Sequence, residues 1–363
     1  MNKLFNLFRS KVYFDQYLFI SITLLSIMGL LFLYSASQDN METTIKQSLF
    51  VLLGLILMFL LSQIDPDFYK NNSLIFLILS IVLILITMIF GKEVNGAKRW
   101  LDLGFFTLQS SEIIKIALPV FLAAYLYDKP LPISLFNTIV SMIVIFIIVN
   151  LVRIQPDLGT SLVIFIAGLY VLFLAGLSWR FIGISFGIFI LSLPFIWNNF
   201  LEPFQRQRIL TLLDPNADPY GSGWNITQSK IAIGSGGIQG KGYGSGSQAH
   251  LDFLPETETD FIFSVIAEEF GAIIVIGILL LYLFFSYKII QKIKILNEDL
   301  LKLILIGCVS LILLQTFIHV GVNIRLLPTT GMTLPFLSYG GSSIISTAIV
   351  SGIILNLTKR KID

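Results

Sequence analysis

The chain has 363 residues, of which 55% are hydrophobic and 13% charged, and its formal net charge is +2. A mean hydropathy of +0.86 excludes an ordinary soluble globular domain and is typical of a protein embedded in a bilayer. The nearly balanced charge, without a stripe of basic and aromatic residues, excludes a nucleic-acid-binding protein. Because Cys308 is the single cysteine, no intramolecular disulfide can form.

Apolar runs long enough to cross the roughly 30 Å hydrocarbon core recur along the whole chain. They predict an all-α, polytopic integral membrane protein with about ten transmembrane helices in one domain over 1–363. The first run is too long for the apolar part of a signal peptide, so we expect it to be a membrane anchor. The ten helices are predicted near 13–35, 47–62, 73–90, 112–127, 133–152, 158–176, 181–200, 261–288, 302–322 and 341–357.

Ten crossings place both termini on one side of the membrane, and the basic residues indicate which side. The predicted inner segments carry thirteen Lys and Arg residues and the outer segments ten, four of which lie in one long loop, 201–260. Because basic residues in long loops contribute little to orientation, thirteen inner basic residues are compared with six outer ones. Both termini are therefore predicted to be cytoplasmic, and the long loop between the seventh and eighth helices to be extracytoplasmic.

The predicted outer loops are longer and richer in Gly, Pro and polar residues than the inner loops, which places the active face outside. Four of them stand out, at 91–111, 153–160, 201–260 and 323–343. Within the third, 234–246 has seven glycines in thirteen residues but no GxxxxGK[ST] nucleotide motif. This segment is either a tightly turned or flexible loop, or a mobile cover over a bound substrate.

The most unusual stretch is LDFLPETETDFIFSVIAEEFG at 251–271, where a polar segment runs into a long apolar helix. A charge at the centre of a transmembrane helix costs roughly 2.5–3.5 kcal/mol, so a cluster of acids here marks a candidate reaction site. Asp260 stands where the helix is predicted to begin, and a helix cap at the water boundary is the alternative role for it. The six acids of the stretch are Asp252, Glu256, Glu258, Asp260, Glu268 and Glu269.

Two further pairs of charged residues lie inside predicted helices. Glu112 and Lys115 are three residues apart and share a helix face, and a lysine within the bilayer requires a partner. They form either a structural ion pair or part of a substrate cavity. Glu268 and Glu269 point about 100° apart, so at most one of them faces the same cavity as Asp260, and Glu268 is the candidate.

Five motifs in order along the chain resemble those of the SEDS family of bacterial cell-wall polymerases. The segment 218–242 and the short N-terminal tail resemble the RodA branch, which serves elongation, whereas the wording of the closing motif resembles the FtsW branch, which serves division. We take the RodA-like interpretation first and the FtsW-like one second. The motifs are RWLDLGFFTLQSSEIIK at 99–115, QPDLGT at 155–160, DPYGSGWNITQSKIAIGSGGIQGKG at 218–242, FLPETETDFIFSVIAEEFG at 253–271 and LPTTGMTLPFLSYGGSS at 327–343.

The resemblance implies a peptidoglycan glycosyltransferase that polymerises lipid II at the outer face of the bacterial cytoplasmic membrane. By motif position Asp260 is the family's catalytic aspartate, a general base for the 4-hydroxyl of the acceptor sugar. Glu256 and Glu258 would disfavour its ionised form. Undecaprenyl pyrophosphate leaves, and outward cations neutralise it, with Arg99 and Lys230 preferred because they lie in matched motifs. The substrate-binding candidates are Lys98, Arg99, Glu112, Lys115, Arg153, Lys230, Glu256, Glu268 and Arg325, with Arg206 and Arg208 as further outward cations.

No metal constellation is apparent, because His250 and His319 lack the spacing of metal ligands. No cofactor is required, and a Mg²⁺ or Mn²⁺ ion bridging Asp260 and the pyrophosphate is neither required nor excluded. The expected partners are lipid II, a class B penicillin-binding transpeptidase and other membrane proteins of the elongation complex. Two rival functions stay open: a flippase or transporter of a lipid-linked sugar, and a non-catalytic scaffold for a transpeptidase.

Overall fold

The computed structural model describes residues 15–38, 40–94, 97–104, 106–130, 132–214, 218 and 221–359. These residues form thirteen helices and one three-stranded sheet. The helices are α1 (Gln16–Ala36), α2 (Met41–Ser62), α3 (Asp67–Phe90), α4 (Ser110–Tyr127), α5 (Leu135–Ile154), α6 (Leu158–Leu174), α7 (Trp179–Asn199), α8 (Pro203–Leu213), α9 (Ser222–Gly236), α10 (Ser247–His250), α11 (Ile262–Ile295), α12 (Asp299–Asn323) and α13 (Gly341–Leu357). The strands are β1 (Lys92–Val94), β2 (Ala97–Asp102) and β3 (Thr107–Gln109).

The prediction of an all-α membrane protein is confirmed, and ten of these helices correspond to the ten predicted ones. Eight described helices are long and apolar enough to cross a membrane, while α6 and α13 are shorter, with 17 residues each. The largest errors are the end of α11, at Ile295 rather than near 288, and the starts of α2 and α3, at Met41 and Asp67 rather than near 47 and 73. The side chain of Asn40 accepts hydrogen bonds from two amides of α2, so the helix begins within polar sequence that hydropathy misses.

The bundle is packed most tightly around α4, α12 and α13, whose residues are largely buried. Small residues allow the close approach: a Cβ on Gly307 of α12 would lie 2.6 Å from the Pro119 side chain of α4. The helix α7 differs, because no residue between Trp179 and Asn199 is buried. It therefore stands at the periphery, joined to the bundle mainly at its ends.

Both ends of the described chain lie on the face opposite Asp260. Asp15, which caps α1, pairs at 3.0 Å with Lys292 near the end of α11. At the last turn of α13, the Asn356 side chain donates to the Leu61 carbonyl near the end of α2 at 3.0 Å. Because α11 begins just after Asp260, its end belongs to the other face. We call the face that carries Asp260, the sheet and the segment 201–260 the loop face.

The loop face is more ordered than the sequence suggested. Strand β2 pairs antiparallel with both β1 and β3, so that Trp100 lies opposite Lys92 on one side and Gln109 on the other. The sequence does not indicate these strands in the first outer loop. The segment 201–260 contains α8, α9 and α10 rather than one long irregular loop.

The glycine-rich segment forms a tight turn packed against a break in α11. Gly271 has φ +73° and ψ −177°, and a Cβ there or on Gly240 would collide with the other segment's backbone. The backbone groups freed by the break are bonded by the turn: Ala272 N donates to Gly237 O at 3.0 Å, and Lys241 N donates to Glu268 O at 2.9 Å. The structure therefore corresponds to the tightly turned alternative for 234–246 and not to a cover.

Candidate active site

Asp260 lies in a turn immediately before α11. Its backbone N–H donates to Glu256 O at 3.0 Å, and Glu256 holds a left-handed φ of +51° that closes the turn. The helix begins at Ile262, its N-cap is Phe261, and no side chain caps it. The helix-cap role for Asp260 is therefore wrong, and its carboxylate is available for another purpose.

A buried polar cluster fixes the backbone of Asp260. The side-chain amide of Asn323, at the end of α12, donates to Asp260 O and to His319 O, both at 2.9 Å. Ser264 donates to the Asn323 side-chain oxygen at 2.6 Å, and Ser229 of α9 donates to the Asn323 carbonyl at 2.8 Å. Asn323, Ser264 and Ser229 are fully buried. Three helices thus hold the peptide of Asp260 in one place.

Burial raises the pKa of the Asp260 carboxyl from 3.8 to about 6, because its charged form is poorly solvated. A hydrogen bond from Thr259 and the positive charge of Arg208 lower this pKa, and the negative charge of Glu256 raises it further. Glu256 thus acts in the predicted direction, whereas Glu258 does not contribute and has its own pKa raised, by burial and by Glu256. A carboxyl with a pKa of about 6 is mostly ionised at neutral pH, as a general base must be.

A narrow cleft lies beside Asp260 between β2, α8 and the segment that precedes Gly331. A Cβ on Gly331, whose φ is +69°, would lie 3.5 Å from the Asp260 carboxylate, so this segment borders the acid directly. The cleft has a volume of about 70 Å³, well below the roughly 300–1,000 Å³ of whole-ligand pockets. It can therefore hold only part of a large substrate. It is lined by Arg99, Pro156, Leu158, Gly159, Phe204, Gln205, Arg208, Ile209, Pro328, Thr329 and Thr330.

Two arginines bring positive charge to this cleft. Arg208 of α8 donates to Thr329 O at 3.0 Å, and Arg99 of β2 donates to Gln155 O at 2.9 Å and to Pro156 O. Burial lowers the pKa of the Arg208 guanidinium, with an opposite contribution from Asp260 and a further lowering by Arg99. The two arginines and Asp260 are therefore close enough to influence one another electrostatically.

Lys98 and Lys230, two other predicted phosphate-binding cations, do not line the cleft. Lys98 is exposed on β2, where it lies opposite Glu93 of β1. Lys230 is exposed on α9. Of the two cations preferred because they lie in matched motifs, Arg99 lines the cleft and Lys230 does not.

Arg153 and Arg325 are bound to backbone carbonyls elsewhere on the loop face. Arg153 donates to Phe200 O at 3.0 Å, and its guanidinium lies 4.7 Å from the centre of the Phe200 ring. Arg325, with a left-handed φ of +60°, donates to Leu212 O at 3.1 Å at the end of α8. This contact satisfies a carbonyl that the helix leaves free, so Arg325 holds the wall that carries Arg208.

Glu112 and Lys115 form an ion pair deep in the bundle, with 2.5 Å between Lys115 Nζ and Glu112 Oε2. Lys115 also donates to Gln315 at 3.0 Å, and Ser346 donates to Glu112. Gln315 in turn donates to Thr333 O at 3.1 Å, which connects the pair to the segment after the cleft. The two residues therefore form an ion pair inside the bundle, and neither lines the cleft.

Glu268 faces the glycine-rich turn and not the cavity of Asp260. Its carboxylate accepts from Lys241 Nζ at 2.5 Å and from Ser247 Oγ at 3.1 Å. Glu269 accepts from Ser35 at 2.6 Å and lies 2.9 Å from His250 Nε2. The two neighbouring acids, both buried, therefore hold the segment 235–250 against α11.

Nothing in the described part of the chain forms a metal cage, because no three His, Cys, Asp or Glu side chains converge there. His250 contacts Glu269, and His319 Nδ1 lies 2.7 Å from Met332 O. A divalent cation at Asp260 would take most of its ligands from the substrate and from water.

The sequence indicates Arg208 only as one outward cation among several, and it does not single out Asn323. Nothing local distinguishes Arg208 from Arg206, which donates instead to the Leu201 and Asn198 carbonyls. Asn323 is recognisable in the sequence as a polar residue at the end of an apolar run, because an amide buried there requires hydrogen-bond partners.

Comparisons with known proteins bear on the family. The family model described as cell cycle protein, FtsW/RodA/SpoVE, matches residues 15–362. Peptidoglycan glycosyltransferase MrdB of Escherichia coli is 38% identical over 355 residues, covering 98% of this chain and 96% of that protein. A probable peptidoglycan glycosyltransferase FtsW of Wigglesworthia glossinidia brevipalpis is 35% identical over 353 residues, covering 92% and 90%.

The chain belongs to the SEDS family. The prediction of an enzyme of the glycosyltransferase class is confirmed by these relatives. Among solved structures, the rod shape determining protein RodA of Thermus thermophilus has a TM-score of 0.73 and 27% identity, covering 96% of this chain and 97% of that one. A structure of a peptidoglycan synthase complex that coordinates polymerization and crosslinking has a TM-score of 0.82 and 30% identity, covering 96% and 98%. These neighbours confirm the RodA-like interpretation.

Proposed function

We propose that this SEDS enzyme polymerises lipid II into glycan strands at the outer face of the bacterial cytoplasmic membrane during cell elongation. The observation that carries the proposal is the Asp260 carboxylate, held at the loop face beside a cleft with two arginines. The names of the relatives and the RodA neighbours support it. The predicted orientation, with both termini cytoplasmic, assigns the loop face to the outside.

Asp260 acts as the general base in this proposal. A sugar hydroxyl is a weak nucleophile near neutral pH, so the carboxylate takes the proton of the acceptor's 4-hydroxyl as that oxygen attacks the donor's anomeric carbon. The new C–O bond forms while the bond from the anomeric carbon to the pyrophosphate oxygen breaks, and undecaprenyl pyrophosphate leaves. Arg99 and Arg208 stabilise the charge that develops on the leaving group.

The partner in the proposal is a class B penicillin-binding transpeptidase, because linear glycan must be crosslinked to form a wall. The similarity to a complex that couples polymerization and crosslinking supports this partner. Other membrane proteins of the elongation complex belong to the same proposal.

The transporter alternative shares one feature with the structure, the broken helix α11. In a transporter such a break leaves backbone groups free to bind the transported substrate. Here the groups freed at Gly271 are bonded by the chain's own turn, and Glu268 and Glu269 are bonded by the segment 235–250. Asp260, by contrast, lies beside the arginine-lined cleft, close enough to Arg208 for their charges to interact. This arrangement favours catalysis over transport.

The deciding experiment supplies labelled lipid II to the purified protein in detergent, where transport has no meaning, alone and together with its transpeptidase. We expect glycan strands from the wild type and none from Asp260→Asn, which keeps the side-chain size. The control is Asp252→Asn, the same chemical change at an exposed residue of the same segment, bonded to Gln38 at 2.8 Å. Polymer from Asp260→Asn at the wild-type rate would refute the general-base role, whereas no polymer from the wild type would favour the scaffold or the transporter.

The proposed chemistry needs no resident cofactor. A Mg²⁺ or Mn²⁺ ion between Asp260 and the pyrophosphate is an arrangement that a chelator tests. Activity that is lost in EDTA and restored by Mn²⁺ in the wild type would establish it, whereas unchanged activity in EDTA would exclude it.

A further inference from the structure

The wall of the cleft contains two buried hydroxyls that the chain does not use. Within the described residues, the Oγ1 atoms of Thr329 and Thr330 are buried and have no hydrogen-bond partner. Buried polar atoms are almost always bonded, so an unbonded one at a cleft indicates a ligand or water that bonds to it. Because two such atoms lie on consecutive residues of one wall, an accidental lack of partners explains them poorly.

These hydroxyls cannot withdraw from the cleft easily. Gly159 packs directly against Thr330, since a Cβ on this glycine would lie 3.0 Å from the Thr330 Cβ. Arg208 fixes the neighbouring residue by donating to Thr329 O at 3.0 Å. The wall is therefore held from both sides, so that both threonines stay at the cleft.

The chemistry of the lining matches an anion with many acceptor oxygens. The lining contains two guanidinium groups and two hydroxyls, and no acidic residue. Guanidinium groups and hydroxyls donate hydrogen bonds to phosphate oxygens, and Arg is suited to bidentate contacts with them. A volume of about 70 Å³ suits a phosphate-sized group and excludes a sugar ring with its substituents.

We propose that Thr329 and Thr330, together with Arg99 and Arg208, form the subsite that binds a phosphate group of the donor lipid's diphosphate. The proposal rests on the function proposed above. It places the leaving group in the cleft and the sugars outside it, so that the donor's anomeric carbon lies between the arginines and Asp260. Asp260, an anion at the edge of the cleft, is then left for the acceptor's hydroxyl.

Binding can be measured without catalysis, using farnesyl pyrophosphate as a soluble probe and the full-length protein in detergent. We expect Thr329→Val and Thr330→Val, which replace each hydroxyl by a methyl group, to weaken binding of the probe about five- to tenfold each. Thr329→Ser and Thr330→Ser, which keep the hydroxyl, should bind like the wild type. The control is Thr316→Val, because this hydroxyl lies outside the cleft and donates to Ile312 O of its own helix at 2.8 Å.

Three outcomes would overturn the subsite. Valine variants that bind the probe like the wild type show that the hydroxyls do not contact it. Valine and serine variants that weaken binding equally show a packing effect. Competition by phosphatidylglycerol micelles as strong as that by the probe shows a general site for lipid headgroups. Failure of the general-base role is seen separately, because Asp260→Asn would then polymerise lipid II while the threonine variants still lose affinity for the probe.

Discussion

The pH dependence of polymerisation should report the ionisation of Asp260. Burial raises the pKa of its carboxyl to about 6, and a general base acts only in the ionised form. Activity is therefore lost as the pH falls through 6, because protonation of Asp260 removes the base. The ionised fraction is about one-tenth at pH 5 and about nine-tenths at pH 7, so kcat/KM for lipid II, which reports the free enzyme, should rise about tenfold between them.

Two charge substitutions should move the midpoint of this pH dependence in opposite directions. Arg208→Gln removes a cation that lowers the pKa of Asp260, so the midpoint should move to higher pH. Glu256→Gln removes an anion that raises the same pKa, so the midpoint should move to lower pH. Glu93→Gln, an exposed carboxylate on β1, is the matched control and should leave the midpoint in place.

The assay is the initial rate of strand formation by purified protein from pH 4.5 to 8, with binding of lipid II measured at each end of the range. A rate that does not change across this range would show that the titrating carboxyl is not the base. Shifts of the same sign in Arg208→Gln and Glu256→Gln would show that the two variants act through the fold and not through the charge on Asp260.

Asn323→Leu should lower kcat about tenfold to a hundredfold with little change in KM, because Asp260 loses the amide that fixes its carbonyl. The control is Ser310→Ala, which removes another buried hydrogen bond of α12 and should change neither kcat nor KM. Lys241→Met leaves the buried Glu268 carboxylate without its cation and should lower the free energy of unfolding in SDS by roughly 3 kcal/mol, which a second change, Glu268→Gln, should largely restore. Gly240→Ala should lower the melting temperature more than Gly244→Ala, because both have positive φ but only the first would collide with Glu269 O; equal effects would mean that backbone strain alone matters.

The sequence predicted the bundle well because hydropathy is a local property. Each of the ten long apolar runs became a helix, and the ends were missed mainly where polar residues continue the helix beyond the apolar run. Asp67 begins α3 several residues before the apolar run does. The sheet is not evident from the sequence because its strands are only three to six residues long and are stabilised by pairing with one another.

The site was predicted only in part because its geometry is not local. The motif at 253–271 singled out Asp260, and the motif at 99–115 singled out Arg99. Spacing on a helix separated Glu268 from Glu269, yet it could not show that Glu268 binds the glycine-rich turn while Glu269 binds Ser35 and His250. Arg208 reaches the cleft because α8 folds back over Thr329, a contact between residues 121 positions apart.

The two acids beside the break in α11 constrain how this chain is made. Translation delivers the segment 235–250 first, and Glu268 and Glu269 follow it out of the ribosome. A chain in which that segment stayed on the side of the membrane opposite Asp260 would leave two carboxylates in hydrocarbon without their partners, which is strongly unfavourable. Correct topology and correct folding of α11 are thus coupled.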